Sequence, residues 1–212
     1  METLKELGHR CGTDKEYHEF AGTTYIDIYE ENFKQLRNEK INLLEIGVRT
    51  GGSLRAWKGY FMNGNVFGID IDPTCKQYEE ERIVIEIGSQ ADKLVIDTIT
   101  ARAGGSFDII IDDGSHVNIF TLSSFSLLFG ALKSGGIYVI EDLWNSYLKL
   151  DSVYDVRKIW PGMKHNTQDQ SLDNDRKVMD ELFLKILSDM DHGQGSVKHI
   201  QFWSQMCFIY KL

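Results

Sequence analysis

The chain is short of positive charge. It carries 23 Lys and Arg against 32 Asp and Glu, a formal net charge of −9 over 212 residues. That balance argues against nucleic acid as a partner, because such binding rests on neutralising phosphates with basic residues. Cysteine is scarce as well. Cys11, Cys75 and Cys207 are odd in number, far apart and without a CxxC pair, which argues against a disulfide framework and against a zinc site. No window approaches 18 apolar residues, and the N-terminal Met1-Glu2-Thr3-Leu4-Lys5-Glu6 has no apolar leader, so neither a membrane span nor a signal peptide is expected. Internal repeats, linkers and low-complexity stretches are missing too. What remains is a cytoplasmic protein of one domain over residues 1–212, suited to small or cationic ligands and long enough to bury roughly 70% of its unfolded surface.

Apolar runs that end in glycine or acid dominate what is present. Phe107-Asp108-Ile109-Ile110-Ile111-Asp112-Asp113-Gly114-Ser115-His116 lacks polar alternation over its isoleucines, which suits a strand covered on both faces, as in a parallel α/β sheet. Strands are also expected at 42–47, 66–70, 83–87 and 137–140, with helices between them. That order predicts parallel pairing with right-handed crossovers. Residues 9–23 lack a period and read as a loop. Tyr25, Tyr29, Phe33 and Leu36 recur at helical spacing, as a packing face, so residues 1–40 form an N-terminal cap and helix. The helix that ends near 103 is expected to use Ala91, Leu94, Val95 and Thr98 as one face. The next, over 117–132, would carry Phe120, Leu127, Leu128 and Ala131 inward, and Lys133-Ser134-Gly135-Gly136 would stop it. Residues 144–172 are polar and aromatic with weak periodicity, and are expected to cover the site as an acceptor lid. A regular stripe from Met179 to Met190 marks a last helix. The segments 197–202 and 206–210 then make a closing antiparallel pair.

Ligands in such sheets bind beyond the carboxyl ends of the strands. Glu45-Ile46-Gly47, followed by Gly51, Gly52 and Ser53, is a glycine turn between a strand and a helix. It allows close backbone approach to a ligand, and Gly51 and Ser53 are cofactor-binding candidates with Glu45 and Gly47. The turn departs from GxGxxG, because Arg49 stands at the middle glycine. Asp70 ends the second strand about 20 residues on, where an acid accepts ribose hydroxyls. Asp72 is read either beside it or as a cap on the Pro73 helix. Asp112, Asp113 and His116, with Glu141 and Asp142, would converge at two neighbouring strand ends. So much negative charge calls for a cation, and oxygen-rich donors suit Mg²⁺, Mn²⁺ or Ca²⁺ over zinc. A histidine beside that metal could act as a base. Adjacent strand residues point oppositely, which leaves open whether Asp112 or Asp113 faces the metal.

Leu43-Leu44-Glu45-Ile46-Gly47-Val48, Gly51-Gly52-Ser53-Leu54-Arg55-Ala56-Trp57, Gly68-Ile69-Asp70-Ile71-Asp72, Ile111-Asp112-Asp113-Gly114-Ser115-His116 and Gly135-Gly136-Ile137-Tyr138-Val139-Ile140-Glu141-Asp142 together resemble the metal-dependent sugar O-methyltransferases of macrolide biosynthesis, of the mycinamicin and demethylmacrocin type. Gly12-Thr13-Asp14-Lys15 is similar to the same family's N-terminal motif. The resemblance spans about residues 8 to 147. It implies an α/β fold of the class I methyltransferase kind, a Rossmann-like three-layer sandwich on a mostly parallel seven-stranded sheet whose last strand is antiparallel. It also implies S-adenosyl-L-methionine and Mg²⁺, or another divalent ion that prefers oxygen. By position it implies Asp113, Glu141 and Asp142 as metal ligands and His116 as general base. Glu45, Gly47 and Asp70 would bind the cofactor and Ser89-Gln90-Ala91 its adenine, with Asp112 as a neighbour on the cofactor side. The expected partner is a small-molecule or sugar acceptor, and an oligomer of identical chains is left open. Two other readings compete: a hydroxylase-like tailoring enzyme of the same fold, and a non-catalytic nucleotide-binding scaffold.

Overall fold

The computed structural model describes residues 2–20, 22–147 and 175–212. Helix α1, Leu4–Cys11, is held at one end by a Thr3/Glu6 capping box and stopped at the other by Gly12 in the left-handed region. These two caps correct the expectation of a loop from residue 9, since they supply partners for orphan groups at both ends of the helix. A 3-10 turn over Asp14–Glu16 follows, in which the Thr13 hydroxyl accepts from the Lys15 amide. A small hairpin of β1 (Glu19–Phe20) and β2 (Thr23–Thr24) leads into α2, Tyr25–Phe33, which Thr24 and Asp27 cap reciprocally.

The sheet contains β3 (Asn42–Ile46), β4 (Asn65–Asp70), β5 (Ile83–Ile87), β6 (Phe107–Asp112), β7 (Leu132–Ile140), β8 (Val197–Trp203) and β9 (Met206–Lys211). Their order is β5-β4-β3-β6-β7-β9-β8. The first five pair in parallel, and β9 runs antiparallel to both its neighbours. Helices cover both faces, as the unbroken isoleucine run requires. On one face Leu43, Ile111, Val139 and Phe208 pack with Tyr29 and Phe33 of α2 and with Trp57 and Tyr60 of α3, Gly52–Tyr60. On the other, Leu44, Ile46, Ile110 and Ile140 meet α4 (Lys93–Arg102), α5 (Asn118–Leu128) and α6 (Arg176–Asp191).

Three sequence expectations shift. Helix α4 buries Ile96 and Ile99, while Leu94 is 72% exposed. The spacing 96, 99, 103 is the more apolar stripe, and Ala91 precedes the Asp92 cap. In α5 the inward residues include Thr121 and Ser124 beside Phe125 and Leu128, because Ser124 serves a buried acid described below. Residues 133–136 belong to β7, and a register shift opposite Phe107 and Ile109 absorbs their glycines. The acceptor lid expected at 144–172 lies outside the described residues from 148 onward. Residues 144–147 fall in a 3-10 turn, Leu143–Tyr147. No helix among the described residues is long and apolar enough to cross a membrane.

Candidate active site

The register sets the site. Ile46 pairs with Asp112, and Asp112 with Ile140, so Gly47, Asp113 and Glu141 form the next row at the carboxyl edge. Backbone bonds extend the ladder through that row: Asp113 N donates to Ile46 O at 3.0 Å and Glu141 N to Asp112 O at 3.0 Å. Gly47 adopts φ 95°, and a Cβ there would lie 2.1 Å from Asp113 O. Only glycine fits.

On the β4 side of this row lies a cleft lined by Gly47, Asp70, Gly88, Ser89, Gln90, Gly114, Ser115 and Phe120, among others. Asp70 orders the glycine turn, since its Oδ2 accepts from Val48 N at 2.8 Å and Arg49 N at 2.9 Å. Gln90 Nε2 donates to Asp112 Oδ1 at 3.1 Å, and Gln90 Oε1 accepts from Ser115 N at 2.8 Å. Asp112 is sealed inside. Burial pushes its carboxyl up to about 6, against the opposing hydroxyl of Ser124, and Tyr138 donates to it from 3.3 Å. Of the residues expected around the cofactor, Gly47, Asp70, Ser89 and Gln90 line this cleft. Asp112 stands behind Gln90, Gly51 caps α3 in the left-handed region, and Asp72 caps the turn at Pro73 by accepting from Thr74 N at 2.8 Å. Glu45 and Ser53 are buried together away from the cleft.

Period-two alternation puts Glu45, Asp113 and Glu141 on the face of Leu43, Ile111 and Val139. There they surround Lys15, whose Nζ lies 2.6 Å from Asp113 Oδ2, 2.6 Å from Glu141 Oε1 and 3.1 Å from Glu45 Oε1. Burial alone would push this ammonium down, but the charges of Asp113, Glu141 and Glu45 outweigh it and hold the group well above its ordinary range. Burial and the charge of Asp113 drive the Glu141 carboxyl strongly up, with Lys15 opposing. Helix α2 adds two phenols one turn apart: Tyr29 donates to Glu141 Oε1 at 2.5 Å and Tyr25 to Asp142 Oδ1 at 2.7 Å. Trp57 Nε1 donates to Glu45 Oε2 at 3.0 Å.

Nearer the surface, His116 Nε2 lies 3.6 Å from Asp142 Oδ2 and 3.9 Å from Asp113 Oδ1. His116 and Asp142 both hold left-handed backbones, φ 55° and 54°. Such strain gathers at functional sites. Asp113, His116 and Asp142 can bring one ligand atom each within 4.8 Å of one another, and so can Glu45, Asp113 and Glu141. A hard divalent cation fits these donors, which are oxygens with a single imidazole. The expected metal set of Asp113, Glu141 and Asp142 is thus divided between two groups that share Asp113. Sequence reasoning assigned Tyr25 and Tyr29 to packing and gave Lys15 no role. The available signals were the Gly12-Thr13-Asp14-Lys15 motif and tyrosine, in place of phenylalanine, at an i, i+4 pair.

Among solved structures, the chain superposes on the mycinamycin-pathway methyltransferase MycE in complex with Mg, SAH and mycinamycin VI. The TM-score is 0.74 and the identity 33%, covering 99% of this chain and 54% of that one. The chain has a class I methyltransferase fold. It is also homologous to sugar O-methyltransferases of macrolide pathways. It is 41% identical over 141 residues to demethylmacrocin O-methyltransferase of Streptomyces fradiae, covering 63% of this chain and 32% of that protein. The same figures hold for mycinamicin VI 2''-O-methyltransferase of Micromonospora griseorubida. The chain therefore spans about a third of the length of these curated relatives. No family model matches. Within the methyltransferase fold, the cleft beside Gly47 and the acids beyond β6 and β7 occupy the carboxyl edge of the sheet.

Proposed function

We propose that the protein is an O-methyltransferase that uses S-adenosyl-L-methionine and a divalent ion such as Mg²⁺ to methylate a hydroxyl of a sugar or glycosylated metabolite. One observation carries this reading: a histidine poised between two carboxylates, 3.6 Å and 3.9 Å away, stands one strand end from a glycine-lined cleft. The homologues' activity and the Mg and SAH of MycE support it. The cleft would take the cofactor, with Asp70 at the ribose and Ser89 and Gln90 at the adenine. Asp113, Glu141 and Asp142 would hold the ion. When bound, the ion compensates these acids and makes a neighbouring hydroxyl more acidic.

His116 Nε2 takes the hydroxyl proton while the acceptor oxygen attacks the sulfonium methyl in line. The carbon–sulfur bond breaks and its electron pair stays on sulfur, so a neutral thioether leaves. Asp113 and Asp142 orient the ring and stabilise the imidazolium. We assign the chain to a single domain in the cytoplasm, a reading that the continuous seven-stranded sheet and the free thiols of Cys11, Cys75 and Cys207 support. The deciding experiment incubates the protein with labelled S-adenosyl-L-methionine, Mg²⁺ and a panel of nucleotide sugars, glycans and glycosylated metabolites. Methyl transfer that chelator abolishes is expected. Transfer undiminished by chelator would remove the ion from the reaction, and cofactor binding without transfer to any acceptor would favour a scaffold.

A further inference from the structure

Lys15 takes no part in the reaction above, yet it is a cation enclosed at the site, 1% exposed. It is 98 residues from Asp113 and 126 from Glu141 in the chain, and its approach is built in. A Cβ on Gly52 would come within 2.8 Å of Gly12 O, so the Gly12-Thr13-Asp14-Lys15 segment lies flush on the start of α3. The Thr13 hydroxyl then turns the backbone at Lys15. Glu45 and Glu141, sealed from water beside the partly exposed Asp113, need a cation, and here the chain itself provides one.

Asp113 is the hinge of the arrangement. Its Oδ2 faces Lys15 at 2.6 Å, while its Oδ1 faces His116 at 3.9 Å. Two half-sites therefore share one carboxylate: an inner one filled by Lys15, and an outer one bounded by Asp113, His116 and Asp142. Glu45 serves only the inner half, between Lys15 and Trp57.

We propose that Lys15 is the resident cation of the inner half-site, a positioning residue that holds Asp113 and Glu141 by one oxygen each and keeps a divalent ion on the outer side of both. The second part rests on the metal-dependent reading above; the first does not. Thermal melts of the full chain test both, comparing wild type, Lys15→Met and the double variant Lys15→Met/Glu45→Gln, each in chelator and in Mg²⁺. In chelator, Lys15→Met leaves buried carboxylates uncompensated and should melt on the order of 10 °C lower. The double variant, with one acid neutralised, should regain part of that loss, a rescue that loss of simple packing would not allow. Mg²⁺ should raise the melting temperature of Lys15→Met more than that of wild type, because an ion can then enter the vacated inner half.

Equal Mg²⁺ shifts in wild type and Lys15→Met overturn the confinement of the ion. A double variant that melts no higher than the single overturns the resident cation. Should Lys15→Met fail to fold, a cooperative melt regained by the double variant supports the proposal and its absence overturns it. Should wild type respond to no divalent ion, by melting or by Mn²⁺ paramagnetic resonance, the metal reading fails alone, and the chelator melts still decide the role of Lys15.

Discussion

The two sides of the carboxyl edge are built from different parts of the chain. The cleft beside Gly47 is local in origin: Asp70 reaches back to Val48 and Arg49, and Gln90 reaches Asp112 and Ser115, all within strand–turn–helix units. The acid side is not. Its carboxylates come from β6 and β7, but their partners Lys15, Tyr25 and Tyr29 come from the N-terminal segment. The cleft needs neighbouring strand–turn–helix units folded correctly, whereas the acid side needs the N-terminal segment brought onto strand ends about 100 residues on. Binding of cofactor and deprotonation of acceptor should therefore separate under mutation.

The largest separation should come from His116→Ala. Loss of a general base typically costs about 10²–10⁴ in rate, while S-adenosylhomocysteine affinity, read by calorimetry, should stay near wild type. Near-normal turnover at neutral pH would remove the base assignment. Gly47→Ala should act oppositely. With a Cβ 2.1 Å from Asp113 O, the turn must move, at a cost of about 3 kcal/mol in stability by denaturant titration. Cofactor affinity should fall with it. Unchanged stability would mean that the strand ends shift freely. Tyr29→Phe is expected to cost roughly 2 kcal/mol, the value of a buried bond to a carboxylate, and to leave cofactor binding alone; parallel losses in both would blur the two sides.

The smallest effect concerns alkaline pH. Burial pushes the Tyr210 phenol up from 10.0 to about 12, and it drives those of Tyr29 and Tyr138 well above their ordinary range. Folded phenols then hold protons that unfolded ones release. The stability they contribute is complete below about pH 10 and is lost as pH rises towards 12. Tyr210→Phe should make the melting temperature fall slightly less steeply between pH 10 and 12, and an identical slope would count against a protected phenol.

Legibility in the sequence followed the same division. Strand 83–87 and the parallel pairing of the sheet were readable because each strand is a short apolar run bounded by turns. That Gly47 and Asp70 would stand at the carboxyl edge was readable from those strand ends, whereas Ser89 and Gln90 were expected beside the cleft through the family resemblance alone. Lys15 was not, since no spacing rule links a residue in the first turn to acids about 100 positions on. Tyr25 and Tyr29 looked like packing because a phenol at helical spacing carries the same apolar signal as phenylalanine. In α4 several apolar residues at overlapping spacings competed, and Ile96 and Ile99 took the core that Leu94 was expected to fill. Period two alone already set Glu45, Asp113 and Glu141 on one face, once the register between β3, β6 and β7 was known.

That register has a consequence for error tolerance. Asp112 ends β6 and Asp113 is the next residue, yet one is closed in by Ser124 and Tyr138 and the other meets Lys15 and His116. A slip of one residue would exchange them and would also turn the isoleucines of β6 to the opposite layer. The sheet thus behaves like a reading frame, in which the same two letters spell a sealed acid or one that opens to the cluster around Lys15 and His116 according to the phase, and the close approach of Gly47 to Asp113 O is where that phase is checked.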